Sequence, residues 1–217
     1  MKRINYKKDF KQFFAPSAKV PALVEVPAFR FLMVEGHGAP GGTAFQEAIQ
    51  AVYSAHFTIK FTLKFSNIGP EYTLPPLEAL WWAKSGNYLD VKKPSDWQWR
   101  VMLMQPPHVT KKHLADAITQ IREKATKKAG KKGARPASPA LATIQLAPFT
   151  EGLCVQIMHI GPYAQEKPTI ECMQQFAKAK GYEMVGKHHE IYLGDPRMTQ
   201  PEKLRTVLRH PLRRAAA

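Results

Sequence analysis

Two short stretches of the chain each set one carboxylate among apolar residues: Pro76-Leu77-Glu78-Ala79-Leu80-Trp81-Trp82 and His188-His189-Glu190-Ile191-Tyr192-Leu193-Gly194. Alternate residues of a β-strand share a face, which lines Glu78 up with Leu80 and Trp82, and Glu190 with Tyr192. Burying a carboxylate on such a face without a partner is costly. Two carboxyl groups in one apolar cavity have their pKa values pushed apart, so that one serves as general acid and the other as general base. The residues do not assign the two roles. Glu190, with Tyr192 on its face, is the first choice for the base, and either Glu78 or a tyrosine such as Tyr163 could supply the proton.

Flat aromatic side chains are the natural walls of such a cavity. Trp82, Trp97, Trp99, Tyr163 and Tyr192 are the candidates, with Trp82 and Trp99 favoured; each taken singly is also an ordinary core residue. His188-His189-Glu190 is not read as a metal triad, because adjacent strand residues point to opposite faces and no spaced ligand set accompanies it. Gly36-His37-Gly38-Ala39-Pro40-Gly41-Gly42 lacks the spacings of a phosphate-binding loop and reads as a turn or a pocket rim. Cys154 and Cys172 have no CxxC spacing, and free thiols are expected, with Cys154 a buried filler.

These residues fall within a duplication. Phe29 to His37 and Cys154 to Pro162 are apolar runs ending in a Gly-marked turn. Helical spacing follows at Thr43 to His56 and at Pro168 to Lys180, then the Glu-bearing strand, then a final strand at Trp97 to Gln105 or Lys203 to His210. A further strand precedes each copy, at Ala22 to Val26 and Ala142 to Leu146. The expected class is α+β: a duplicated strand-helix-strand-strand unit forming two pseudo-symmetric antiparallel sheets around a ligand pocket, with helices outside. The expected layout is a basic segment over residues 1–19 and one domain over 20–217. Its two repeats span about 20–109 and 140–212, and a helix with Thr110 as N-cap and a basic linker join them over 110–139.

The chain has 217 residues, 44% of them hydrophobic, enough for a proper core. Its net charge of +15 sits largely in the N-terminal segment, in Lys124 to Arg135 and in Arg205, Arg209, Arg213 and Arg214. Charge runs of that kind are usually solvated surface, so specific nucleic-acid binding is not expected. No apolar run approaches the roughly 20 residues that span a bilayer, and no secretory signal is visible. The reading is a cytoplasmic protein, monomeric or weakly dimeric, with no cofactor, metal or membrane partner.

Val155-Gln156-Ile157-Met158-His159-Ile160-Gly161-Pro162-Tyr163, the run His188 to Arg197 and the ending Pro201 to Arg209 resemble the GyrI-like small-molecule-binding family. The likeness extends into the first half through Pro76 to Trp82 and Trp97-Gln98-Trp99. The resemblance implies a duplicated fold with a central Glu that meets cationic or polarised aromatic ligands. Glu190 matches that Glu directly, and Glu78 matches it through the internal repeat. Lacking a helix-turn-helix extension and carrying Glu in both halves, the chain is most similar to a stand-alone branch that hydrolyses cyclopropane-bearing DNA-alkylating natural products of the yatakemycin and duocarmycin type. The resemblance thus implies a hydrolase that binds planar hydrophobic electrophiles and opens an activated cyclopropane with water. The alternative is a non-catalytic protein that sequesters amphipathic cationic or aromatic small molecules.

Overall fold

Strands β1 (Ala22–Val26), β2 (Phe29–His37), β3 (Leu77–Ala83), β4 (Trp97–Gln105), β5 (Gln145–Phe149), β6 (Gly152–Ile160), β8 (His188–Tyr192) and β9 (Arg205–Arg214) form one antiparallel sheet in the order β1-β6-β9-β8-β3-β4-β2-β5. A short strand β7 (Tyr182–Met184) pairs with the far end of β9. The computed structural model describes residues 2–85, 94–130 and 136–215; part of the expected basic linker, 131–135, lies outside them.

The sheet has two halves, β5-β2-β4-β3 and β1-β6-β9-β8, joined edge to edge where β3 pairs with β8. The two expected pseudo-symmetric sheets are therefore present and continuous with one another. Their leading strands are exchanged: β1 pairs with β6 of the second repeat, and β5 with β2 of the first. Each repeat thus completes the other's sheet, which ties the halves together by backbone hydrogen bonds as well as by side-chain packing.

The helices cover one face. Helix α3 (Thr43–Phe65) buries Phe45, Ala48, Val52, Ala55, Ile59 and Leu63 along a single stripe and packs on β2 and β4. It runs nine residues past the expected end at His56, because the apolar stripe continues through Ile59 and Leu63 and the first breaker is Asn67, at φ 52°. Helix α5 (Lys167–Ala179) packs on β6 and β7, with Met173 against Val155, Ile157 and Leu208. Helix α4 (Lys111–Lys128) lies against α3. It starts where expected, with Thr110 and His113 closing a reciprocal capping box.

Two one-turn helices, α1 (Tyr6–Asp9) and α2 (Lys11–Phe14), cover the opposite face. Within this basic segment Tyr6, Phe13 and Phe14 are buried in the core, with Phe13 edge-on to Phe29 at 5.5 Å.

Candidate active site

Register decides which side chains meet. Across the β3–β8 seam Glu78 pairs with Ile191, Ala79 with Glu190, Leu80 with His189 and Trp81 with His188. Paired residues share a face and neighbours along a strand alternate. One face of the seam therefore carries His188, Glu190, Tyr192, Ala79 and Trp81; the other carries Glu78, Leu80, Trp82 and His189. The expectation that Glu78 and Glu190 share a cavity is corrected by this register. The two motifs align in sequence one residue out of step with the pairing, and a one-residue slip sends a side chain to the other face.

Glu190 sits on the helix-bearing face, over the central strands that α3 and α5 flank. Its carboxylate partner is a residue the sequence reading passed over: Glu166, whose backbone forms the N-cap of α5. His188, two residues before Glu190 on the same strand face, stands between the two acids. Its Nε2 is 3.5 Å from Glu190 Oε1 and 4.0 Å from Glu166 Oε2. The side chains of Glu166, His188 and Glu190 are only 8, 11 and 15% exposed. Glu166 Oε1 and His188 Nε2 are buried without a hydrogen-bond partner among the described residues.

A carboxylate at a helix N-terminus is normally favoured in its charged form. Here burial dominates, and the nearby Glu190 adds to it, so the Glu166 carboxyl is pushed up to about 9. Two carboxyl groups this close hold a proton on one of them.

Tyr192 joins the pair from β8. The Trp81 indole N–H donates to the Tyr192 hydroxyl oxygen at 3.1 Å, and Glu190 lies two residues away on the same strand face. An indole nitrogen can only donate, which leaves the tyrosine's own proton available to a neighbour on that face. Burial, with Glu190 beside it, raises the Tyr192 phenol well above its ordinary value. Tyr163, from the 3-10 turn Tyr163–Gln165, stands edge-on to Tyr192 at 5.7 Å and is partly open to solvent. Burial, then Glu190 and Glu166, push its phenol up to about 12.

The other predicted aromatics divide. Trp97 shares the Glu190 face and packs edge-on to Trp81 at 5.8 Å. Trp99 is on that face too, but it is fully buried against Phe45 at 5.2 Å and over Gly36, a core residue in place of the expected cavity wall. Trp82 lies on the opposite face, beneath the Lys187 ammonium at 3.4 Å. Trp81, on the Glu190 face, is buried between Phe45 and Trp97.

On that opposite face, Glu78 belongs to a buried polar network. His189 Nε2 is 3.1 Å from Glu78 and its Nδ1 is 2.9 Å from Glu151, which also accepts from Arg209 at 3.3 Å. Arg209 donates further to Gln156 Oε1 at 3.0 Å and to the Phe13 carbonyl at 2.8 Å, and Gln156 donates to the Gln12 carbonyl. Burial would raise Glu151, but the charge and hydrogen bond of His189, helped by Arg209, outweigh it and hold the carboxyl at about 2. Burial likewise works against a charged His189, yet Glu151 and Glu78 lift it to about 9. Phe13, Phe14, Phe29, Phe31 and Phe149 close over the narrow space around this network. It is a buried structural network, with the side chains of Glu78, Glu151 and His189 no more than 2% exposed and Glu78 Oε1 left without a hydrogen-bond partner among the described residues.

The ligand atoms of Glu166, His188 and Glu190 all lie within 4.8 Å of one another, close enough to hold a metal ion. The cluster arises from an i, i+2 pair plus a helix residue, an arrangement that the run His188-His189-Glu190 does not reveal. Glu166 does carry a weak sequence signal, as an acid at the start of a Pro-marked helix that follows directly on a strand and turn.

A model of the GyrI-like small molecule binding domain matches residues 107–213 of the chain. The chain is similar to an uncharacterized conserved protein from Listeria innocua, at 37% identity and a TM-score of 0.83, over 97% of this chain and 100% of that one. It is also similar to a hydrolase from Listeria innocua, at 36% identity and a TM-score of 0.84, over 98% and 100% of the two chains. The EcmrR C-terminal domain shares the fold, with 13% identity and a TM-score of 0.52 over 90% of this chain and 98% of that one. No curated protein matches the chain.

Proposed function

The chain belongs to the GyrI-like small molecule binding domain family, and from that premise we propose that it is a hydrolase acting on planar hydrophobic electrophiles. In this reading it opens an activated cyclopropane of the yatakemycin and duocarmycin type at the Glu166–Glu190 pair. The family supports small-molecule binding, and a relative described as a hydrolase over its whole length supports turnover. The observation that carries the proposal is the pairing of the buried Glu166 carboxyl with Glu190 around His188 on a partly open, aromatic surface.

The two acids divide the work. Glu190 takes a proton from a water molecule, whose oxygen forms a bond to the unsubstituted cyclopropane carbon. The strained C–C bond breaks, and its electron pair moves through the conjugated ring to the dienone oxygen. That oxygen takes the proton from Glu166 and becomes a phenol. The sum is addition of one water. Passing the proton from Glu190 back to Glu166, with His188 between them, restores the starting state. In this reading Tyr192, on the same strand face, donates to Glu190 and orients it, and Tyr163 and Tyr192 provide flat apolar surface for the ligand.

Incubation with a cyclopropanoid alkylator, following the ring-opened phenol by absorbance and mass, tests this. Turnover above the uncatalysed rate is expected. Tight binding without turnover would instead make the site one that sequesters its guest.

A further inference from the structure

Helix α3 outruns its counterpart in the second repeat, with 23 residues against 13 in α5, and the extension carries an unusual surface. Tyr53, Phe57, Phe61 and Phe65 recur at every fourth position, and their rings stack in sequence at 6.3 Å with interplanar angles of 19 to 23°. Exposure rises along the row, from 38% at Phe57 through 47% at Phe61 to 79% at Phe65, and Ile68 just beyond is 45% exposed. Single exposed apolar residues are ordinary; a contiguous aromatic row marks an interaction surface.

Its rim is cationic. Lys60 and Lys64 flank the row and line a hollow at the helix end together with Asn67 and Gly69. The N-terminal segment is pinned alongside, Ile4 N–H donating to the Glu71 carbonyl at 2.8 Å, and this brings in exposed Arg3 and Lys2. Arg3 is close enough that its charge, after burial, helps to lower the Lys60 ammonium. Glu71, 3.3 Å from Lys64, offsets only part of this charge.

We propose that this aromatic row with its basic rim docks the protein onto an anionic lipid bilayer. Phe61, Phe65 and Ile68 would enter the interface, with Lys60, Lys64 and Arg3 among the headgroups. No described helix is long and apolar enough to cross a membrane, so the mode is to lie on the surface. Charge complementarity selects this occupant over a second copy of the chain, whose two like-charged rims would face each other.

The test is flotation with vesicles of equal parts phosphatidylcholine and phosphatidylglycerol, and with vesicles of phosphatidylcholine alone. The wild-type protein is expected to float with the anionic vesicles only. Phe61→Ser/Phe65→Ser and Lys60→Gln/Lys64→Gln should each weaken binding by about tenfold or more. Phe65→Ser alone, at the most exposed position, should weaken it without changing the melting temperature. The proposal is overturned if the anionic vesicles are not bound, or if the phenylalanine variants bind them as wild type does. A wild-type dimer in light scattering that Phe65→Ser makes monomeric would also overturn it, as would Phe65-dependent retention by single-stranded DNA without vesicle binding.

Discussion

The Trp81 indole donates to the Tyr192 hydroxyl at 3.1 Å across the seam between the two repeats. One repeat thereby fixes the orientation of a hydroxyl that the other repeat places beside Glu190. Trp81→Phe keeps an aromatic ring but removes the donor. It should lower kcat by about fivefold, the worth of one hydrogen bond, with KM little changed. In a Tyr192→Phe background the same substitution should cost less, because the pair acts as a unit. Steady-state kinetics on the four proteins of the cycle check this.

Glu166 is the proposed acid, and its carboxyl is pushed up to about 9. Activity should therefore hold at neutral pH and fall as pH rises through about 9. Glu166→Gln should lower kcat by roughly a hundredfold or more and abolish that alkaline limb. A pH–rate profile of the two proteins decides it.

The network on the other face should govern stability. Glu151 is held at about 2 against an ordinary 4.5, so its contribution is present above 4.5 and is lost as pH falls through about 2. His189 is lifted to about 9 from 6.5, so its contribution is full below 6.5 and is lost as pH rises through about 9. Glu166, raised in the folded state, adds to the alkaline loss. Burial holds His56 and His210 down to about 3 and 4, so both lose stability as pH falls below 6.5, and the melting temperature should peak near pH 6.5 and fall on both sides. Glu151→Ala, which strands His189 and Arg209, should cost about 3–5 kcal/mol, measured by denaturant unfolding at pH 6.

Gly36 lies under the Trp99 ring, and a Cβ there would overlap the ring carbons. Gly36→Ala should destabilise the protein by about 1–3 kcal/mol through overpacking. The weakened Trp99–Phe45 packing should appear in near-UV circular dichroism.

Much of this architecture is legible in the residues. The alternation of β3 and β8, the apolar stripe of α3 and the Thr110 cap are local patterns, and local physics places them. Three features depend on pairings that no local pattern encodes. The exchange of β1 and β5 between repeats is one. The register that puts Ala79, and not Glu78, opposite Glu190 is the second; similar motifs suggest equivalence, but side-chain parity is set by hydrogen bonding across the seam. The third is Glu166, which lies outside the repeated motif and reaches Glu190 only because α5 begins beside β8. In the N-terminal segment, Phe13 and Phe14 are hidden among lysines, and their burial is read from the structure alone.

The most direct test compares cyclopropanoid hydrolysis by wild type, Glu190→Gln, Glu166→Gln and Glu78→Gln, each confirmed folded by its melting curve. Glu190→Gln and Glu166→Gln should each lose about a hundredfold or more. Glu78→Gln should keep wild-type turnover per folded molecule while melting at a lower temperature. Full activity in Glu166→Gln, or a loss in Glu78→Gln as deep as that in Glu190→Gln, would contradict the placement of the chemistry on the helix-bearing face.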